Sequence, residues 1–249
     1  MGCFMKLSFK LGLTAISTAL LCNSISHAAV VMTGTRVIFP ANQTEKTIQL
    51  QNKDNNPNIV QVWVDRGNKA STPDTADGPF IANPQIFKIS PNAGQMVRLT
   101  FIGDKSELPT DRESVFYLNF SEIPGVKDTG DAPNQLMIVF KNRLKVFYRP
   151  DRLPYPPEEM SKHIVYKFSG TSTQPKVTIS NNSAYYANIS EAYVVQQDDK
   201  TKIQKNTMIA PKTSVEWDVP LKDFDMSKAK ISLGLINDYG VTVTKELHE

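Results

Sequence analysis

Cysteine is absent from most of the chain, which excludes a fold held together by disulfides. The two cysteines among 249 residues are Cys3 and Cys22, both in an N-terminal segment that we expect to be removed. A chain without cysteine can build neither a disulfide framework nor a cysteine zinc site. The mature protein must therefore be stabilised by core packing alone.

Histidine and catalytic motifs are scarce too. His163 and His248 are the histidines that follow the N-terminal segment, and no carboxylates cluster at the spacing of metal ligands. The chain has neither a G-x-S-x-G string nor a Gly-rich phosphate loop. Because no nucleophile–base pair can be identified, we predict a protein that is not an enzyme and uses no metal and no cofactor.

Apolar runs long enough to cross a membrane are also missing. Leu11–Leu21 is shorter than the roughly 20 residues that a spanning helix needs. It follows two lysines and precedes Ser26-His27-Ala28, which places small residues before a cleavage point. This pattern predicts a secretory signal peptide over residues 1–28. Cys22 offers an alternative lipid-attachment site, but Leu21 before it is a poor fit to the small residue that such a site needs.

A strong charge of either sign is lacking as well. The formal net charge is +3, and removing the two lysines of the signal leaves +1. A nearly neutral chain has no electrostatic footprint for nucleic acid, and we expect no nucleic-acid partner and no membrane insertion. Residues 29–249 suit one large or two ordinary domains, each able to bury a core unaided.

What the chain does contain is a series of short alternating segments separated by turn formers, which is typical of β-strands. In the first half these are Val30–Phe39, Thr47–Gln51, Ile59–Asp65, Phe80–Ile89, Val97–Ile102, Val115–Ile123 and Leu136–Tyr148. In the second half they are Ile164–Phe168, Lys176–Ser180, Ala187–Val195, Lys202–Ile209, Ser214–Val219, Lys230–Ile236 and Val241–Leu247. Each series predicts a β-sandwich of immunoglobulin type.

A proline-rich connector separates the two series. Four prolines fall within residues 150–157, where they favour a stiff segment outside any sheet. We therefore predict an all-β protein with two immunoglobulin-like domains, residues 29–150 and 151–249.

The last predicted strand of the first half has an unusual composition. Leu136–Phe140 is apolar at every position, and thus on both faces of a strand. Basic residues follow at Lys141, Arg143, Lys145 and Arg149. One interpretation is a central core strand whose end reaches solvent. The other is an edge strand whose second face is kept for a partner, and composition does not choose between them.

Four short strings carry a family resemblance. They are GTRVIFP at residues 34–40, DRES at 111–114, FYRP at 147–150 and INDYG at 236–240. In this order, behind a signal peptide, they resemble the periplasmic pilus-assembly chaperones of the chaperone–usher pathway, over essentially the whole mature chain. The resemblance implies two immunoglobulin-like domains set as an L, with a cleft between them.

The resemblance also implies a function. Members of this family bind pilus subunits in the periplasm, prevent their aggregation and deliver them to an outer-membrane usher. A subunit lacks its last strand, and the chaperone lends one of its own to the open groove. The implied donor side chains are Leu136, Ile138 and Phe140, while Met137 and Val139 would pack into the chaperone's own core. A free chaperone is then expected to self-associate through the exposed donor strand.

Two sets of charged residues gain roles by the same resemblance. Arg36 and Lys145 would anchor the C-terminal carboxylate of the subunit; without the resemblance they would be ordinary strand-end charges. Glu113, Arg149 and Asp238 would form an ion-pair network that fixes the interdomain angle.

One geometric point about the anchor stays open. Strict alternation puts Lys145 on the face opposite Leu136. Either a bulge near residues 141–143 corrects this, or the cleft meets the strand from its other side.

The chain departs from the family pattern in two places and leaves other functions to weigh. Pro124 is followed by Gly125 rather than a second proline, and residues 183–186 read SAYY rather than TPYY. The short link from Gly125 to Pro133 resembles the short-loop subclass. The alternatives are a pilus subunit or two-domain secreted adhesin, and an enzyme or sugar-binding sandwich. The sequence names neither the cognate subunits nor the usher.

Overall fold

The computed structural model describes residues 30–125, 137–197, 199–221 and 224–248. The predicted signal peptide, Leu136 and residues 126–133 of the predicted link lie outside these ranges. Within the described residues the N-terminal half forms β1 (Val30–Met32), β2 (Arg36–Pro40), β3 (Glu45–Asn52), β4 (Asn58–Asp65), β5 (Phe80–Asn83), β6 (Ile86–Ile89), β7 (Gly94–Phe101), β8 (Ser114–Pro124) and β9 (Phe140–Arg149).

The C-terminal half follows the same plan. Its strands are β10 (Ile164–Gly170), β11 (Pro175–Asn181), β12 (Ala187–Gln196), β13 (Asp199–Ile209), β14 (Thr213–Asp218), β15 (Ala229–Ile236) and β16 (Thr242–Glu246). Short 3₁₀ helices lie at Pro73–Thr75, Lys105–Glu107 and Pro157–His163.

Each half is a pair of sheets packed over its own core. The N-terminal sheets have the strand orders β1-β3-β7-β5 and β2-β9-β8-β4-β6, and the C-terminal ones β10-β11-β14 and β13-β12-β15-β16. The two cores are separate clusters, one around Phe39, Leu118 and Phe120 and the other around Ile189 and Leu233. The predicted all-β fold of two immunoglobulin-like sandwiches is confirmed. The boundary after Pro150 stays a prediction.

Two predicted strands are each divided between sheets. Val30–Phe39 breaks at residues 33–35, where Gly34 has a φ of 93° that favours glycine, so that β1 and β2 join different sheets. Phe80–Ile89 breaks at Pro84, which has no N–H to donate to a ladder, giving β5 and β6. Both breaks let one short stretch of chain contribute to both layers of the sandwich.

The start of β9 differs from the prediction, and the difference exposes apolar surface. The strand begins at Phe140 rather than Leu136, because its ladder with β8 begins at the pair Phe140–Glu122. Residues 137–139 precede that ladder. Met137 and Val139, predicted to pack into the core, are 51% and 50% exposed, so this prediction was wrong.

The two faces of β9 have different surroundings. Val146 and Tyr148 belong to the N-terminal core, and Leu144 packs against it. The alternate side chains, from Lys141 to Arg149, therefore lie on the outer face of the sheet. Pairing between β8 and β9 runs without a register shift from Tyr148 to Phe140, so no bulge occurs there. The open geometric point is thus settled: the interdomain cleft meets β9 from its outer face.

The two domains meet around one arginine. Arg149 donates through Nε to Glu113 Oε1 at 2.8 Å, and through Nη1 and Nη2 to the carboxylate of Asp238 at 2.6 and 2.8 Å. Glu113 also binds the backbone of the second domain: its own N–H donates to the carbonyl of Ala184, and its side-chain Oε2 accepts from the N–H of Tyr186, both at 2.9 Å. The network thus ties the loop before β8 to the second domain.

Burial sets the protonation behaviour of this network. Burial raises the pKa of Glu113, and the nearby charge of Arg149 only partly offsets it. Burial alone would lower the pKa of Arg149, but the hydrogen bonds and charges of Asp238 and Glu113 raise it by more. Arg149 is therefore a permanent cation that holds both carboxylates.

A close approach of the two domains lies beside this network. Gly240 has a φ of 83°, and a Cβ there would stand 2.5 Å from Oγ1 of Thr35. Any larger residue would both strain the backbone and require the side chain of Thr35 to shift. The final glycine of the INDYG string therefore permits the contact that brings Asp238 to Arg149.

Glu113→Gln tests the role of the network in fixing the domains. The amide keeps the shape but loses one charge of a largely buried pair, so we expect a loss of about 1–3 kcal/mol in the free energy of unfolding. Urea unfolding measures this loss, and small-angle scattering reports a changed interdomain angle. Glu45→Gln, which removes an exposed ion pair with Arg98, is the matched control. Stability and scattering equal to those of the control would contradict the role.

Candidate functional site

Two cations meet where the first domain faces the second. Strands β2 and β9 are parallel, and their register pairs Arg36 directly with Lys145. Arg36 lies at the start of β2, and Lys145 lies on the outer face of β9, next to the second domain. Both side chains are half-buried. The structure thus brings together the two residues that the sequence nominated as a carboxylate anchor.

Each cation already reaches the second domain. Nζ of Lys145 donates to Oδ1 of Asn188 at 2.6 Å, and Nη1 of Arg36 donates to the carbonyl of Ile236 at 3.3 Å. Nδ2 of Asn188 in turn donates to the carbonyl of Tyr186 at 3.1 Å, which orients its amide oxygen toward the lysine. Asn188 was missed by sequence reasoning, because nothing near it in the sequence marks a partner 43 residues away.

The two cations lack a full countercharge. Among the described residues, neither Arg36 nor Lys145 has a carboxylate within 4.0 Å. Burial lowers the pKa of Arg36, and the charge of Asp238 partly opposes the shift. Burial also lowers the pKa of Lys145, and the neighbouring charge of Arg36 lowers it further. The negative charge of an incoming carboxylate would oppose the lowering of both pKa values.

Arg36 lies at the edge of a cleft between the domains, and Lys145 is hydrogen-bonded to Asn188 in the wall of that cleft. The cleft has a cavity volume of about 130 Å³. Aromatic and apolar side chains contribute much of its wall, with Phe147 and Tyr186 in ring contact at 5.7 Å. The residues of this cleft include Arg36, Arg149, Met160, Tyr185, Ile236 and Tyr239. Such a wall suits the end of a polypeptide that combines a polar terminal group with apolar side chains.

An exposed apolar segment lies at and just before the start of β9, the strand that carries Lys145. Residues 137–140, which we call the apolar segment, are all at least half exposed, with Ile138 at 54% and Phe140 at 56%. Strand β2 pairs with β9 only from Lys145 to Arg149, so the edge of β9 from Phe140 to Leu144 has no neighbour among the described residues. Leu136, the remaining predicted donor residue, lies outside them.

The described residues offer little for other kinds of site. Within them, no group of three or more His, Cys, Asp or Glu side chains is placed to hold a metal ion. Searching the same residues finds no helix long and apolar enough to cross a membrane.

The chain matches known proteins along nearly its whole length. Residues 29–154 match the N-terminal domain of the pili and flagellar-assembly chaperone family named after PapD, and residues 159–247 match the C-terminal domain of the same family. The chaperone protein HifB of Haemophilus influenzae is 33% identical over 231 residues, covering 91% of this chain and 90% of HifB.

Escherichia coli provides a similar protein with a solved structure. The probable fimbrial chaperone YadV is 34% identical over 225 residues, covering 90% of this chain and 91% of YadV. A crystal structure of YadV chaperone superposes with a TM-score of 0.74 over 89% of this chain and 100% of that one, at 31% identity. These matches favour a chaperone over a pilus subunit or a secreted adhesin. The chain therefore belongs to the family of pilus-assembly chaperones.

Proposed function

We propose that this chaperone captures pilus subunits in the periplasm by lending them the apolar segment as a strand, and then delivers them to an outer-membrane usher. It does so by binding, without turnover chemistry. The observation that carries the proposal is the placement of two uncompensated cations and an exposed apolar segment on one edge of one sheet. Leu136 would extend the lent strand at its start.

The free edge of β9 fixes how a partner strand would lie. Strand β2 begins at Arg36, beside Lys145, so a partner on the free edge must end there. A partner whose last residue lies at Lys145 runs in the direction of β9, parallel to it. Its terminal carboxylate then meets both cations, and Arg36 can bind it with two parallel hydrogen bonds. The chain end of a subunit supplies that carboxylate.

Apolar burial supplies the larger part of the affinity. Ile138 and Phe140 would each contribute about 1.5–3 kcal/mol on full burial in the groove of a subunit. Backbone hydrogen bonds along the free edge would add about 1 kcal/mol each. The loss of translational and side-chain freedom offsets much of this sum. In this proposal Arg36 and Lys145 fix the register of the subunit strand against β9, in addition to contributing affinity.

Removing one cation tests the anchor. Arg36→Ala or Lys145→Ala should weaken subunit binding by about 1.5–3 kcal/mol, because a charge-assisted hydrogen bond to the carboxylate is lost. Titration of a cognate subunit measures the change, with circular dichroism to verify the fold. Lys176→Ala, in an exposed ion pair of the second domain, should bind as the wild type does. Undiminished subunit capture by Arg36→Ala would contradict the assignment.

The lowered pKa of Lys145 predicts a pH dependence. The anchor needs the protonated amine, and carboxylate binding raises the pKa of Lys145 above its free-state value. The affinity for the subunit should therefore fall as the pH rises through the pKa of Lys145 in the free chaperone. That pKa lies below the ordinary lysine value of 10.5. Lys145→Arg should keep its affinity over the same range. Parallel pH profiles for the two proteins would show that Lys145 is not the titrating group.

A charge in the apolar segment tests strand donation. Ile138→Asp should abolish subunit capture, since a carboxylate enters an apolar groove only at high cost. The same change should suppress self-association of the free protein, measured by analytical ultracentrifugation. The thermal melt should be unchanged, because Ile138 lies in solvent. Lost stability with retained binding would place Ile138 in the chaperone's own packing and refute donation.

A further inference from the structure

The outer face of β9 carries a buried ion pair that neither the anchor nor the donated side chains use. Arg143, two residues before Lys145, forms a fork with Asp65 at the end of β4. Its Nη2 donates to Oδ1 of Asp65 at 2.7 Å, and its Nη1 donates to Oδ2. The side chain of Asp65 is completely buried, and that of Arg143 is 19% exposed.

The carboxylate of Asp65 is fully satisfied. The hydroxyl of Ser71 and the amide of Asn119 donate to Oδ2, and the N–H of Gly67 donates to Oδ1, each at 2.7 Å. Burial alone would raise the pKa of Asp65, but these bonds together with the fork lower it to about 2. The ion pair therefore stays charged across the whole neutral and mildly acidic range.

The guanidinium of Arg143 is held in place as well. It lies over the ring of Tyr117 at 4.1 Å, and its Nη1 donates to Oδ1 of Asn119 at 3.1 Å and to the carbonyl of Asn68 at 3.3 Å. Stacking and a planar fork fix an arginine more firmly than a lysine could be fixed at the same position.

A second basic residue binds the same loop. Nζ of Lys141 donates to the carbonyls of Ser71 and Lys69 at 2.6 and 3.1 Å, and lies 5.1 Å from the ring of Trp63. The Trp63 indole N–H donates to the Ser71 hydroxyl at 3.0 Å, which joins the two contacts into one network. The loop after β4 thus covers the outer face of β9 immediately beside the apolar segment.

These contacts matter because the free edge of β9 has support on one side only. Before Lys145, β8 is the one strand among the described residues that pairs with β9. Holding the side chains of residues 141 and 143 on the outer face forces Phe140 to the opposite face, since neighbours in a strand alternate. A buried ion pair adds little net stability against its desolvation cost, so its value here lies in fixing one conformation.

We infer that Asp65 and Arg143, assisted by Lys141, are positioning residues for strand donation: they hold β9 extended and turned so that the apolar segment is presented in advance to a subunit. This inference rests on the proposed function. A strand ordered before binding loses less conformational freedom on association, which raises affinity without any new contact to the partner.

The test compares Arg143→Lys with Arg98→Lys, a matched change in an exposed ion pair of the other sheet. Arg143→Lys keeps the charge but loses the fork. In the free protein, amide hydrogen exchange across residues 141–144 should become about tenfold faster than the change in global stability, measured by urea unfolding, accounts for. Binding of a cognate subunit should weaken by about tenfold, equivalent to about 1.4 kcal/mol. The control should change neither.

Several outcomes decide the matter. Wild-type exchange across residues 141–144 in Arg143→Lys overturns the inference with no subunit present, so its failure is separable from that of the proposed function. Faster exchange with wild-type binding overturns it equally. If Arg143→Lys unfolds, Lys141→Met serves instead, because Lys141 is exposed; it should show a smaller shift of the same sign. Unchanged exchange and binding in Lys141→Met would then reject the inference. A wild-type protein that binds no subunit refutes the proposed function alone.

Discussion

The rest of the structure depends on the alternation of side chains between the two faces of β9. On the outer face, every side chain from Lys141 to Arg149 contacts another part of the protein. The outer row contacts in turn the loop after β4, Asp65, Asn188, Tyr186 and the pair Glu113 and Asp238. The inner row packs in the N-terminal core from Leu144 onward. Among the described residues, those from Met137 to Phe140 lie before the part of β9 that packs in this core. These apolar side chains are therefore exposed because they lie beyond the end of the N-terminal core.

The basic residues of β9 differ in how their charge is compensated. Arg143 and Arg149 each face carboxylates that are held at hydrogen-bond distance. Within the part of the chain that the structure describes, Lys145 and its neighbour Arg36 donate hydrogen bonds to neutral oxygens only. Both arrangements are partly buried, so desolvation applies to all four cations. The ion-paired arginines hold the structure together, while Lys145 and Arg36 keep a positive charge that no carboxylate among the described residues compensates at hydrogen-bond distance. In the proposed function, structure and recognition would therefore be divided between basic residues of two neighbouring strands.

Much of this architecture can be predicted from short stretches of the sequence, and the features that could not be predicted have physical causes. Alternation and turn residues placed nearly all strands, since both signals act within a few residues. The alternation of residue types also predicted that the two faces of β9 differ. It does not show where the core packed against β9 ends, and the burial predicted for Met137 and Val139 was therefore wrong. The fork between Asp65 and Arg143 spans 78 residues of sequence. Only strand pairing brings such residues together, and no local pattern reports it.

The parallel strand β2 has a consequence for what the free edge accepts. It begins beside Lys145 and occupies the edge of β9 from that point onward. In the proposed mode a guest strand pairs with the apolar segment and then with the free edge of β9 as far as Leu144, and the part from Phe140 to Leu144 is about 16 Å long at 3.3 Å per residue. Beyond Leu144 the edge of β9 is occupied by β2, whose first residue, Arg36, carries a positive charge. In the proposed mode, the edge would therefore accept a chain terminus and reject an internal segment of equal composition. The chaperone would in this way distinguish the end of a completed polypeptide from any other stretch of it.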